Sequence, residues 1–247
     1  MSINSPEELA GLRAAGLVVR LMLAAMKEAV RPGVTTAELD EIGGRVMRLH
    51  GARSAPALVY QFPGVNCISV NDEAVHGVPG PRKLQDGDLV KLDVTIEKDG
   101  FMADAAITVP VGKIVEESRL LIACAERAFV KAMLVARAGY SVSEIGRAVE
   151  REVRRSGFSV IRDLGGHGIG RTIHEEPRVP NYADPQARHI LTEGLVITVE
   201  PIIAAGSGRA VIAKDGWTIR TADRKPSAHY EHTLVITKGK PILLTAA

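Results

Sequence analysis

An α+β fold built on a largely antiparallel sheet is the architecture this sequence predicts, and three observations lead to it. Helical stretches with clear start and stop signals alternate with hairpins closed by Asp-Gly turns. The strands outnumber what helices could cover on both faces of a sheet, which disfavours a doubly wound parallel arrangement. A helix–helix–strand phrase also occurs twice, about one hundred residues apart, so the chain reads as two related halves.

The elements follow in order. Ser5-Pro6-Glu7-Glu8 joins an N-cap serine, a proline at the first helical position and a glutamate three residues after the cap. The helix it opens is expected to bury Leu9, Leu12, Leu17, Leu21 and Met26 and to stop at Pro32-Gly33. Thr35-Thr36-Ala37-Glu38 is a second capping box, starting a helix that runs towards Gly51. The phrase Arg31-Pro32-Gly33-Val34-Thr35, with Glu38 and Leu39, returns as Arg137-Ala138-Gly139-Tyr140-Ser141, with Glu144 and Ile145. Gly51 and Gly157 close the two helices at matching places, and a helical stretch from about Glu116 to Arg137 precedes the second copy. A second match aligns 84–93 with 191–200, each a glycine turn leading into an apolar strand that ends in a carboxylate. If the halves pack about a pseudo-two-fold axis, Asp93 and Glu200 face one another. Lys98-Asp99-Gly100 folds a strand over 90–97 back onto 101–109, and Lys214-Asp215-Gly216 folds 209–213 onto 217–221. A last strand runs from Tyr230 to Thr237 and turns at Lys238-Gly239-Lys240.

With 46% hydrophobic and 24% charged residues in 247, the composition is globular and suits one domain over 1–247. Basic and acidic residues number 31 and 29, so the chain lacks the electrostatic footprint of a nucleic-acid or anionic-lipid binder, and it carries no nucleic-acid motif. Two cysteines, Cys67 and Cys124, fit a reducing compartment. The start of the chain lacks the basic and apolar regions of a signal peptide, and the apolar stretch 14–26 is interrupted by Arg20 and too short to span a bilayer. A soluble, cytoplasmic protein without membrane attachment is the expectation.

The chemistry concentrates in a few places. Asp93 and Asp104 lie eleven residues apart on opposite arms of the first hairpin, expected within about one residue of cross-strand register. Val90, Leu92, Val94 and Ile96 surround Asp93, and a buried acid without a partner is costly. His167 stands in the glycine-dense stretch 165–170, where a backbone can approach a ligand closely, and His174-Glu175-Glu176-Pro177 follows seven residues on. No Gly-Lys-Ser/Thr follows, so this is not a phosphate loop. Glu200-Pro201 ends one apolar strand, Glu231 heads another, and His76-Gly77-Val78-Pro79 begins the loop leading to Asp93. Two Asp, two Glu and a His form an oxygen-rich donor set, too acidic for a structural zinc site. It suits a pair of divalent ions, with Mn, Fe(II), Co or Zn favoured over Ca. Ions about 3.5–4 Å apart would acidify a water between them and clamp a tetrahedral intermediate. That is hydrolysis chemistry.

The ordered series His76-Gly-Val-Pro, Asp93, Asp104, Gly-His167-Gly-Ile-Gly, His174-Glu-Glu-Pro, Glu200-Pro and Tyr-Glu231-His-Thr resembles the methionine aminopeptidases of the short, type I kind, over roughly Ser5 to Thr237. The resemblance implies the pita-bread fold of two pseudo-symmetric halves. It implies that Asp93, Asp104, His167, Glu200 and Glu231 ligate two divalent ions, Asp104 and Glu231 bridging them. By the same likeness Glu200 passes a proton to the leaving amine, His174 stabilises the intermediate's oxygen, and His76 contacts the substrate backbone. The methionine side chain would enter an apolar pocket lined by Phe62, Cys67 and Trp217. N-termini of nascent polypeptides or peptides are the implied substrates, met near the ribosome by a monomeric enzyme. Two other readings stay open at this point: a peptidase of the same fold cutting before proline, and a binding protein that kept the fold and lost the chemistry. Ile173 stands where the family usually has phenylalanine, and 59–66 also departs from the family pattern. Both changes touch the pocket rather than the metal ligands.

Overall fold

The computed structural model describes residues 1–246. The first half comprises α1 (Pro6–Ala29), α2 (Thr36–Leu49), β1 (Arg53–Ser54), α3 (Ala55–Tyr60), β2 (Cys67–Val70), β3 (Glu73–Val75), β4 (Leu89–Lys98) and β5 (Phe101–Pro110). Then come α4 (Glu116–Met133), α5 (Val142–Arg155), β6 (Ser159–Val160), β7 (Gly165–Gly168), β8 (Glu175–Pro180) and β9 (Val196–Val199). The chain closes with β10 (Ile202–Ala204), β11 (Ala210–Ile212), β12 (Ile219–Thr221), β13 (Ser227–His229), β14 (Glu231–Val235) and β15 (Ile242–Leu243).

The helix starts behave as their caps dictate. Ser5 accepts the Glu8 amide, and Thr35 and Glu38 complete a reciprocal capping box. The repeat is visible as shared geometry. Gly33 and Gly139 take φ of +90° and +91°, which side chains resist, and their amides donate to the carbonyls of Leu84 and Leu191 at 2.8 and 2.9 Å. Leu84 and Leu191 return the bond to Val34 and Tyr140, both at 2.8 Å. Each half therefore clips the start of its second helix to the chain entering its central strand. One core forms where α1 and α2 cover β4 and β5, and a second where α4 and α5 cover β9 and β14.

A nine-stranded sheet joins the halves in the order β1-β4-β5-β14-β9-β7-β8, with β2 also on β4 and β15 also on β14. Every pairing in it is antiparallel, as the hairpin signals predict. Along the seam between β5 and β14, Ala105 pairs with His232 and Ala106 with Glu231. Asp104 and Glu231 thus sit symmetrically about the Ala105–His232 pair.

Several expectations need correction. Asp93 pairs with Ala106 and Asp104 with Thr95, so the two acids are two residues out of register, not one. The two-residue Asp99-Gly100 turn, with φ of +50° and +82°, dictates this. The even offset keeps both carboxylates on one face, whereas a one-residue offset would have split them. In α1, Leu17 faces solvent at 43% exposure and Leu9 and Leu21 are only partly covered; the inward stripe is Leu12, Ala15, Val19, Met22 and Met26. At 24 residues this helix is long and apolar enough to cross a bilayer. Its apolar face instead packs on β4 and β5, against Val94, Ala103 and Ala105. The helix from Glu116 ends at Met133 rather than Arg137, the last strand is shortened to Glu231–Val235, and the atypical segment 59–66 begins with the last two residues of α3.

The glycines of β7 are used differently from the expected approach to a ligand. A Cβ at Gly166 would lie 2.4 Å from the Thr198 carbonyl oxygen, and one at Gly168 would lie 2.2 Å from that of Glu176. The close approach is to the neighbouring strands' backbone, which presses His167 against β9. A similar contact holds α5 down: a Cβ at Gly146 would meet the Tyr182 carbonyl oxygen at 2.1 Å, whereas one at Gly80 would meet nothing within 4 Å. Gly146→Ala is therefore expected to destabilise the protein by about 1–3 kcal/mol. Gly80→Ala should stay within about 0.5 kcal/mol of the wild type. Urea denaturation midpoints of the two variants check this.

Candidate active site

All ten residues singled out in the sequence line one cavity of about 210 Å³ between the halves. Asp93 and Asp104 come from the β4–β5 hairpin, His167 from β7, Glu200 from the end of β9 and Glu231 from the first residue of β14. His76 and His174 stand at the rim, both exposed, and Phe62, Cys67 and Trp217 form an apolar wall.

Local structure fixes each group. Cys67 lies directly opposite Asp93 across the β2–β4 pair. Ahead of it, Asp40 accepts the amides of Val65 and Asn66 at 3.1 and 2.8 Å and ties the segment to α2. His76 adopts φ of +57°, a conformation costly to a residue with a side chain. Gly77 holds it there, donating to Ser69 Oγ at 2.9 Å while its carbonyl accepts from the Ile68 amide at 2.9 Å. The turn that presents His174 is closed by Glu175, which accepts the Arg171 and Thr172 amides at 2.8 and 2.9 Å. Asp215 does the same for Trp217, accepting the Trp217 and Thr218 amides, both at 2.9 Å. Phe62 and Trp217 then meet edge to face, centroids 5.3 Å apart.

The electrostatics are dominated by burial of charged groups, to which crowding of like charge adds. Burial pushes the carboxyls of Asp104, Glu200 and Glu231 well above the usual carboxylate range, and their neighbouring acids push further. Burial raises Asp93 too. Burial, helped by His174 with its ring centroid 4.2 Å away, lowers His167 to about 3. Its Nδ1 lies 2.9 Å from the Gly168 carbonyl oxygen, an acceptor, so Nδ1 carries the proton and the Nε2 lone pair is left 3.7 Å from Glu200 Oε1. Burial and the nearby Asp93 raise the Cys67 thiol well above its ordinary value, so it is no nucleophile.

A cation fits this environment. Asp104 Oδ1, Glu231 Oε1 and both ring nitrogens of His229 are buried without a hydrogen-bond partner, the condition that an ion removes. Carboxylates with neutral imidazole are donors for a divalent transition metal. Asp104, His167 and Glu231 place one donor atom each within 4.8 Å of the others, and so do Glu200, His229 and Glu231.

The residues 10–238 match the model of metallopeptidase family M24. The chain belongs to that family. It is 46% identical to methionine aminopeptidase 2 of Bacillus subtilis, over 99% of each chain. Methionine aminopeptidase of Clostridium perfringens is 42% identical, over 98% of each. The crystal structure of methionine aminopeptidase from Rickettsia prowazekii superposes with a TM-score of 0.95, at 35% identity and covering 100% of both chains. The pita-bread arrangement that the resemblance implies is the fold of this M24 chain.

Two residues escaped the sequence reading. Tyr60, on α3, places its hydroxyl 2.5 Å from His174 Nδ1; nothing local marks it, because the contact spans 114 positions. His229 lines the cavity two residues before Glu231, and strand alternation was the available signal.

Protonated carboxyls must lose their protons to hold a cation, whereas His167 is already neutral. Affinity for Mn(II) or Co(II) is therefore expected to rise with pH from 6 to 8, with net proton release. Titration calorimetry in buffers of different ionisation enthalpy measures both.

Proposed function

We propose that the chain removes N-terminal methionine from polypeptides and peptides, acting as one catalytic domain over 1–247 with two divalent ions held by Asp93, Asp104, His167, Glu200 and Glu231. The observation that carries the reading is the convergence of these five donors with His76, His174 and the apolar wall in one cavity. The identity to methionine aminopeptidases over nearly the whole chain supports the substrate.

Such a metal pair lowers the pKa of the attacking water and polarises the scissile carbonyl. The chain's residues do the rest. Glu200 gives up its own proton when it holds the cation, then takes the proton of the attacking water and passes it to the leaving amine. Thr198 Oγ1 donates to Glu200 Oε1 at 3.3 Å, and Asn181 Nδ2 donates to the Glu200 carbonyl at 2.7 Å, which holds the residue at the end of β9. With the Tyr60 hydroxyl donating to Nδ1, His174 keeps its proton on Nε2 and donates it to the oxygen that gains charge in the transition state. His76, also on the rim, meets the substrate backbone. Phe62, Cys67 and Trp217 receive the thioether, which packs well against aromatic edges. Ile173, buried beside them at 5% exposure, leaves a smaller hydrophobic surface than phenylalanine would.

The test is release of free methionine from Met-Ala-Ser by metal-stripped protein reloaded with Mn, Co or Fe(II), beside an Ala-Pro peptide. Metal-dependent methionine release with the proline peptide intact supports the proposal; cleavage of the proline peptide alone moves the chain to the proline-directed peptidases. Asp104→Asn should lower turnover by about 10²–10³-fold or more, the scale on which a transition state loses an electrostatic stabiliser. Tyr60→Phe removes one neutral hydrogen bond and should cost about five- to ten-fold in kcat, with the change in KM smaller.

A further inference from the structure

The cavity reaches beyond the metal donors and the apolar wall, for Asp163, Leu164 and Arg178 line it too. Asp163 also lines a neighbouring groove of about 600 Å³, so one carboxylate stands in the wall common to both. The groove is bounded by the end of α5, by β6 with the turn after it, and by the segment 207–210. Three arginines line it: Arg154 from the last turn of α5, Arg162 after β6, and Arg209 before β11.

Its walls are fixed. A Cβ at Gly208 would lie 2.4 Å from the Val160 carbonyl oxygen, so this bend is seated directly on β6. Asp223 accepts the Ser207 amide at 2.7 Å, and the Arg209 carbonyl accepts the Ala222 amide at 2.8 Å. Arg162 is occupied: it pairs with Glu150 at 2.9 Å and lies over the Tyr182 ring, 4.5 Å from its centroid. Arg178 donates to the Arg162 carbonyl at 3.3 Å, which joins the edge of the cavity to the groove. Among the described residues, Arg154, Arg178 and Arg209 form no ion pair. With Glu150 matched by Arg162, three guanidinium groups and the single carboxylate of Asp163 are left along this path.

We propose that the groove is a subsite for the substrate chain downstream of the cleaved bond, and that Arg154, Arg178 and Arg209 make it favour acidic residues. This rests on the aminopeptidase reading above. Only the first residue of a substrate enters the apolar wall, so the rest of the chain has to pass out of the cavity, and the groove continues the cavity at Asp163. Guanidinium groups without acid partners on a rim select by charge. A nucleic acid is a poorer occupant, because Glu150 and Asp163 stand among the arginines and the groove adjoins the catalytic cavity. A downstream carboxylate held there is bound alike in the ground and transition states, so the effect falls on KM rather than kcat.

The Co(II)-loaded full-length protein is assayed for methionine release from Met-Ala-Ser, and from heptapeptides that begin Met-Ala-Ser and carry two Glu or two Lys among positions 4–7. The proposal expects the best Glu peptide to exceed its Lys counterpart about three- to ten-fold in kcat/KM, through KM, with the difference lost at about 0.5 M salt. In an Arg154→Glu/Arg209→Glu double variant the preference should invert towards Lys, a result that a merely structural role of either arginine would not give. Glu and Lys peptides cleaved within about 1.5-fold of each other at every position overturn the subsite and leave the aminopeptidase reading standing. A double variant that keeps the wild-type preference overturns it in the same way. No methionine from any peptide, Met-Ala-Ser included, ends both readings. Should the double variant fail to fold by circular dichroism, Arg154→Ala and Arg209→Ala are each read for a reduced Glu-over-Lys ratio, and an unchanged ratio in both overturns the proposal.

Discussion

Mutual repulsion among buried carboxylates is the constraint around which this molecule is arranged. Asp104, Glu200 and Glu231 are each at most 8% exposed, Asp93 stands beside them, and among the described residues no lysine or arginine forms an ion pair with them. Burial first, and then the neighbouring acids, favour the protonated form, which is why their carboxyls titrate high when no cation is held. A divalent cation resolves the repulsion differently, and proton and metal then compete for the same oxygens. The rigidity of the surroundings keeps the acids from moving apart.

That rigidity has a structural source on each side. The β4–β5 hairpin fixes Asp93 and Asp104 diagonally on one face, and the β5–β14 seam fixes Asp104 against Glu231. Thr233 strengthens the seam, accepting the Asp104 amide at 2.9 Å and donating back to its carbonyl at 2.7 Å. Glycines in β7 bring His167 within reach by removing the Cβ atoms that would hold the strands apart. Each half buries its own helices on its own strands, so the acids lie where the two rigid units meet.

The rim is built with less regular structure, from a left-handed histidine, two Asx- and Glu-closed turns and a six-residue helix. Ile173 and the 59–66 segment, the places where the sequence departs from the pattern it otherwise resembles, both lie here. Substrate discrimination is therefore expected to reside in α3, the 59–66 segment and Ile173, while the hydrolytic chemistry depends on the strands beneath. The Tyr60–His174 contact links the two levels, because the Tyr60 hydroxyl, at the end of α3, meets Nδ1 of a histidine on the cavity rim.

Much of this was legible in the chain itself. Caps, Asp-Gly turns and the internal repeat act through residues close in sequence, so helix starts, hairpins and the two-halved plan could be read directly. The five acidic and imidazole donors stood out because each breaks an apolar strand or sits among glycines, where such groups are costly without a ligand. Tertiary structure alone decided the rest. Whether Asp93 and Asp104 share a face depends on a register set by two turn residues, and whether Leu12 or Leu17 is buried depends on how α1 is rotated against the sheet. His229 and His232 are three residues apart and alike in composition, yet one faces the carboxylates and the other Phe129. The direction a strand residue faces is set by the sheet it joins, and at Tyr230 the chain passes from one sheet to another.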